Sequence, residues 1–145
     1  MIASRVVLHL AAAVLPVLAT VVLCVVFRMS LDDFWGAAIA AVLAAQVAVL
    51  LGWPLLMRSI ASAWLGPLGT GLLMAVVTHV LFGPIFAALL LVTEKHLGAG
   101  EIFSVMFGLS IYAAAFVGWA SAPLVMALCV LVNRLHRKEL HRVAV

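Results

Sequence analysis

The sequence predicts an all-α integral membrane protein: a four-transmembrane-helix bundle made of two antiparallel helical hairpins, N-in/C-in. Three observations carry this. Hydrophobic residues make up 68% of the 145-residue chain and charged ones 9%, against roughly 45–50% and 25% in water-soluble domains. A chain this short has too little interior to hide that much apolar surface from water. Second, the apolar residues fall into four runs, each longer than the roughly 20 residues a helix needs to cross a hydrocarbon core about 30 Å thick. Backbone groups in lipid must be satisfied within the segment, so isolated spans are helices. Third, the basic residues are unevenly placed. Arg5, Arg58, Arg134, Arg137, Lys138 and Arg142 fall on one side of the membrane and only Arg28 and Lys95 on the other, a positive-inside bias that puts both ends in the cytoplasm.

The whole chain, 1–145, reads as a single transmembrane domain with spans at approximately 6–27, 34–57, 67–92 and 102–132 and a basic tail at 133–145. The first span has a basic start at Arg5, as an export signal would. Its apolar run is longer than the roughly 7–15 residues of a signal core and lacks a small-residue cleavage site, so it is a span. The second begins after Ser30-Leu31-Asp32-Asp33, a helix start with Ser30 as cap and carboxylates at the positive end of the dipole. Along it Gly36, Ala40, Ala44, Ala48 and Gly52 recur every four residues. Such a ridge lets two helix backbones approach closely, which is how helices associate in lipid. Trp53 and Trp64 fall at the inner interface and Trp35 at the outer one, as aromatic belts prefer.

The third span carries the same ridge with one substitution: Gly71, Ala75, His79, Gly83 and Ala87. The fourth opens after Gly98 and Gly100, with Glu101 in the first turn, and repeats the device at Ser110, Ala114, Gly118 and Ala122. At about 1.5 Å per residue it is roughly 46 Å long, more than the apolar core requires. Gly118-Trp119-Ala120-Ser121-Ala122-Pro123 is where a bend is expected, because Pro123 cannot donate to the carbonyl four residues back. The tail continues this helix, and Arg134, Arg137, Lys138 and Arg142 are placed to touch anionic headgroups, at about 1 kcal/mol each.

One polar site stands out. His79 lies about 18 Å along its helix from Pro67, near the bilayer centre, on the face that small residues mark as buried in protein. An ionisable group at that depth needs a partner or a cavity. Gln46, the carboxamide of the second span, falls within about a turn of the same depth, so a hydrogen bond between His79 and Gln46 is expected, with Thr20 and Tyr112 able to join the layer. Either a structural interhelical bond or a proton- or substrate-handling site accounts for the pair. The two hairpins also share an order of landmarks, His9 and Pro16 in the first, His79 and Pro84 in the second. Chance and duplication explain that equally well.

Other chemistry is excluded by spacing. His9 is about 13 Å shallower than His79 by helix rise, which argues against a haem held by both. No zinc motif occurs, and Glu94-Lys95-His96 lacks further ligands. No catalytic residue and no cofactor is therefore assigned. The net charge of +3 comes from the tail and is not a nucleic-acid signature. The expected partners are membrane lipid and another membrane protein, or a second copy of the chain, in a bacterial cytoplasmic (inner) membrane. The function that fits is an accessory, assembly or regulatory subunit of a larger membrane complex. The alternative is a small oligomeric transporter or channel built on His79 and Gln46.

Overall fold

The computed structural model describes residues 2–28, 30, 34–58, 65–93 and 98–143. Expectations that rest on Asp32, Asp33, Trp64, Glu94, Lys95 and His96, and on the side chains of Arg58 and Arg142, lie outside the described residues. The chain is all-helical: α1 (Ile2–Phe27), α2 (Trp35–Arg58), α3 (Leu65–Thr93), α4 (Ala99–Ala113), a π-turn (Ala114–Gly118) and α5 (Trp119–Val143). Four helical stretches are long and apolar enough to cross a membrane, the fourth being α4, the π-turn and most of α5 together.

Local chemistry explains where these helices begin and end. Arg28, at φ 54°, takes the left-handed conformation that stops α1. Pro67 sits in the first turn of α3, where a missing N–H breaks no helical bond. The N–H of Gly98 donates to Glu101 Oε2 at 2.9 Å, closing the start of α4. A bend is expected over 118–123; the helix instead carries a π-turn that ends at Gly118, and α5 runs on through Pro123. Side chains answer two of the local carbonyls: Trp119 Nε1 donates to Phe116 O at 2.9 Å, and Ser121 Oγ to Gly118 O at 3.4 Å.

The most extensive contact joins α2 to α3. Gly36 faces Phe86 and Gly52 faces Met74, so the two run antiparallel. Ala40, Ala44 and Ala48 are buried along this contact ridge. Gly71 of α3 lies against the backbone of α5 at Val125 and Met126, and Gly83 against the Met106 carbonyl of α4. At both places a side chain would hold the helices apart. The ridge expected along the fourth span is not continuous. Ser110, Gly118 and Ala122 are half-buried, but Ala114 is exposed, because the π-turn adds a residue and shifts the face.

Packing is uneven along the bundle. Where α1 begins and α5 ends, which we call the base, all spans meet in one cluster: Leu8, Ala48, Val49, Leu56, Met74, Cys129 and Val132. On α1 the stripe that faces this cluster starts with Ser4 and Leu8, 0% and 1% exposed, and continues to Leu18, Val22 and Val26, at 53%, 58% and 65%. Cover is lost along this stripe, while Cys24, on another face of α1 at the same level, stays buried. The reason lies in the fourth span: α5 reaches α1, α2 and α3, whereas α4 makes extended contact with α3 alone. The bundle is therefore a wedge, closed at the base and open between α1 and α4 at the far end.

Candidate functional site

The polar residues inside the spans form two separate pairs. His79 Nε2 lies 2.9 Å from Ser121 Oγ, joining α3 to α5. Gln46 instead turns to α1: its Oε1 is 2.7 Å from His9 Nδ1, and its Nε2 donates to the His9 backbone carbonyl at 3.0 Å. The expected His79–Gln46 bond is thus replaced by His79–Ser121 and His9–Gln46. Rotation, not depth, decides this. Gln46 is two residues from both Ala44 and Ala48, roughly 200° around the helix from a ridge that packs on α3, and so it faces α1.

Thr20 and Tyr112 do not join either pair. The Thr20 hydroxyl donates to Pro16 O one turn back at 2.9 Å, as Thr70 and Thr78 do to Gly66 and Met74 at 2.8 Å. Tyr112 is 57% exposed and stacks on Phe116, ring centroids 4.2 Å apart. It belongs to an outward aromatic face with Phe103, Phe107 and Trp119.

Around His79 the space is set by small neighbours. A Cβ on Gly118 would lie 3.5 Å from His79 Nε2, so the ring rests on the end of the π-turn. Ser121 has one hydrogen to give. Given to Gly118 O, it leaves Oγ to accept from His79 Nε2–H; given to Nε2, it leaves the ring proton on Nδ1. Nearby, Ser110 Oγ donates to Val80 O at 3.2 Å, a bond from α4 to α3. His9–Gln46 and His79–Ser121 also share a plan, a histidine on one span bonded to a polar side chain on the span that follows it.

Sequence reasoning missed a third polar group at the base. Ser4 Oγ of α1 lies 3.5 Å from His136 Nδ1 and donates to Glu139 Oε2 at 3.3 Å. Trp53 of α2 meets the His136 ring edge-on at 6.3 Å, with the Arg5 guanidinium 6.0 Å from the Trp53 ring. Asn133, beside His136, is buried; its Oδ1 accepts from Arg137 Nε at 3.3 Å, while its Nδ2 has no partner among the described residues. Four-residue spacings hinted at this face, since Asn133 and Arg137 line up with Cys129 one turn deeper. Arg134 and Lys138 are exposed and Arg137 half-buried.

Among the described residues no group of three His, Cys, Asp or Glu side chains could hold a metal ion. Cys24 and Cys129 are free and buried, and Cys129 Sγ contacts Met74 Sδ at 3.6 Å. The chain matches no family model, no curated protein and no solved structure. What the site can do is thus argued from its own residues.

Proposed function

We propose that this chain is an accessory or assembly subunit of a larger membrane complex, seated N-in/C-in in a bacterial cytoplasmic membrane. The observation that carries the reading is the open half of the wedge. The α1 stripe that buries Leu8 at the base is bare at Val22 and Val26, and among the other spans α4 makes extended contact with α3 alone. A neighbouring transmembrane helix seated there would complete the bundle by the same close packing seen at Gly71 and Gly83. The polar pairs support this reading, because each joins two spans of the chain and so holds the scaffold. Six basic residues on the side of the base against two on the other support the orientation.

The test is purification from native membranes in mild detergent, with wild type beside Val22→Trp. A stoichiometric larger partner that is lost from the variant, while the variant remains folded, is the expected result. A partner retained equally by both, or a monomer alone, refutes the reading. A homo-oligomer would instead favour the second reading, a small transporter; for it speaks His79–Ser121, an ionisable residue held at a π-turn, a feature frequent at functional sites.

A further inference from the structure

Within the four spans every serine, threonine and tyrosine hydroxyl but two has a hydrogen-bond partner among the described residues. The exceptions are Ser104 and Tyr112, both exposed and both on α4. Depth makes this costly. Ser110 bonds the Val80 carbonyl, and Val80 stands midway along the third span, Gly66–Thr93. Tyr112 is two residues from Ser110, about 3 Å of rise, and Ser104 six residues, about 9 Å. Both fall inside a half-core of about 15 Å, where water is not there to satisfy a hydroxyl. The Tyr112 hydroxyl stands at the end of its ring, beyond reach of its own helix's carbonyls and too deep to reach the interface. Its partner lies outside this chain.

We propose that this face of α4 is where two copies of the chain meet, as a parallel pair about a two-fold axis along the membrane normal. Ser104, Gly108 and Tyr112 recur every four residues and form one ridge. Gly108 is two residues from both Met106 and Ser110, which pack on α3. The ridge therefore lies roughly 200° around the helix from that contact and looks away from the bundle. Gly71 and Gly83 use their missing side chains to bring α5 and α4 close, whereas a Cβ at Gly108 would meet nothing within 4 Å in this chain. Glycine weakens a helix relative to alanine, and the close approach of a second backbone accounts for it here. A second copy is the occupant because the ridge complements itself. About such an axis each residue meets its counterpart. Gly108 opposes Gly108 where the helices cross, at about −40°. Hydroxyl opposes hydroxyl at 104 and 112, one donating and the other accepting. Phe107 and Ile111, exposed beside the ridge, fill the groove next to the partner's ridge. An unrelated helix would have to carry acceptors at both depths. The proposal does not rest on the accessory reading. Found with a larger partner, the dimer is a pair of accessory subunits; found alone, it is the oligomer a small transporter requires.

Energy transfer between purified copies in lipid vesicles tests it, half of them carrying a donor dye at the C-terminus and half an acceptor. Wild type is expected to keep its transfer at lipid dilutions where random encounters give none. Gly108→Leu, whose side chain has open space in one copy but not between two, should abolish transfer while the chain still folds. Tyr112→Phe should raise the dissociation constant about three-fold, the size of one hydrogen bond between membrane helices. Leu43→Phe, exposed on α2, should change nothing. Identical positions must also meet. Ser104→Cys should cross-link to its own copy on oxidation, and wild type, with Cys24 and Cys129 buried, should not. Transfer that vanishes on dilution, transfer that persists in Gly108→Leu, or no cross-link at 104 overturns the proposal. So does a cross-link at 104, in native membranes, to a protein of another mass. The vesicles hold no other protein, so a failure there leaves the accessory reading standing.

Discussion

Gly71→Ala is a substitution whose outcome the geometry fixes. A Cβ at Gly71 would lie 2.6 Å from Met126 Cα, 3.0 Å from its nitrogen and 3.1 Å from the Val125 carbonyl oxygen. Carbon atoms in contact sit about 3.5–4.0 Å apart, so α3 and α5 must separate by nearly an ångström. The opposing atoms are helix backbone, which cannot rotate out of the way. The shift reaches Met74 and Cys129, one turn along and part of the shared core. Overpacking of this kind costs up to about 3 kcal/mol. Alanine returns about 1 kcal/mol in helix propensity. A net loss of about 2 kcal/mol remains, roughly a thirty-fold fall in the folded ratio. Thermal unfolding in detergent, read by fluorescence-detected size exclusion, measures it against Gly108→Ala, where the new Cβ meets nothing within 4 Å. If Gly71→Ala proves as stable as Gly108→Ala, the close approach of α3 and α5 is wrong.

Three further outcomes follow from the same coordinates. Ala44→Leu, at a position with no exposure, should cost folded protein, whereas Leu43→Phe, at 44% exposure, should not; equal yields after purification would refute the α2 ridge. Gly52→Ala meets only the flexible Met74 side chain, so its cost should stay below about 1.5 kcal/mol and below that of Gly71→Ala in the same unfolding assay. Asn133→Leu removes a buried amide nitrogen that no described residue bonds, but also the Oδ1 that accepts from Arg137, so stability should change by less than about 1.5 kcal/mol, a large drop in melting temperature being the contrary result.

Much of the architecture was legible because hydropathy and length act along the chain. The first three apolar runs correspond to α1, α2 and α3 within a few residues, and the fourth to the composite span, which continues past 132 to Leu140. What was not legible is rotation. A span that is apolar all round gives no sign of which face looks inward, and depth alone put Gln46 beside His79. The small-residue ridge did contain the missing angle, since Ala44 and Ala48 pack on α3 and turn Gln46 towards His9. Ser121 escaped notice because, between Ala120 and Ala122, it reads as one more small residue. The base cluster was hidden for another reason. Ser4 and His136 are separated by 132 positions, and no local pattern announces that α1 and α5 meet.

The π-turn gives the fourth span two phases. α4 and α5 share one continuous rod, yet the residue added at Ala114–Gly118 sets their faces out of step. That offset lets Met106 and Ser110 address Gly83 and Val80 on α3 while, further on, Ser121 addresses His79 on the same helix. Deleting one alanine from 114–115 would restore ordinary winding and turn α4 by about 100° relative to α5. No side chain in the contact would have changed its chemistry. The serines and the glycine would simply be pointing at the wrong neighbours, which makes the count of residues in this segment as consequential as their identity.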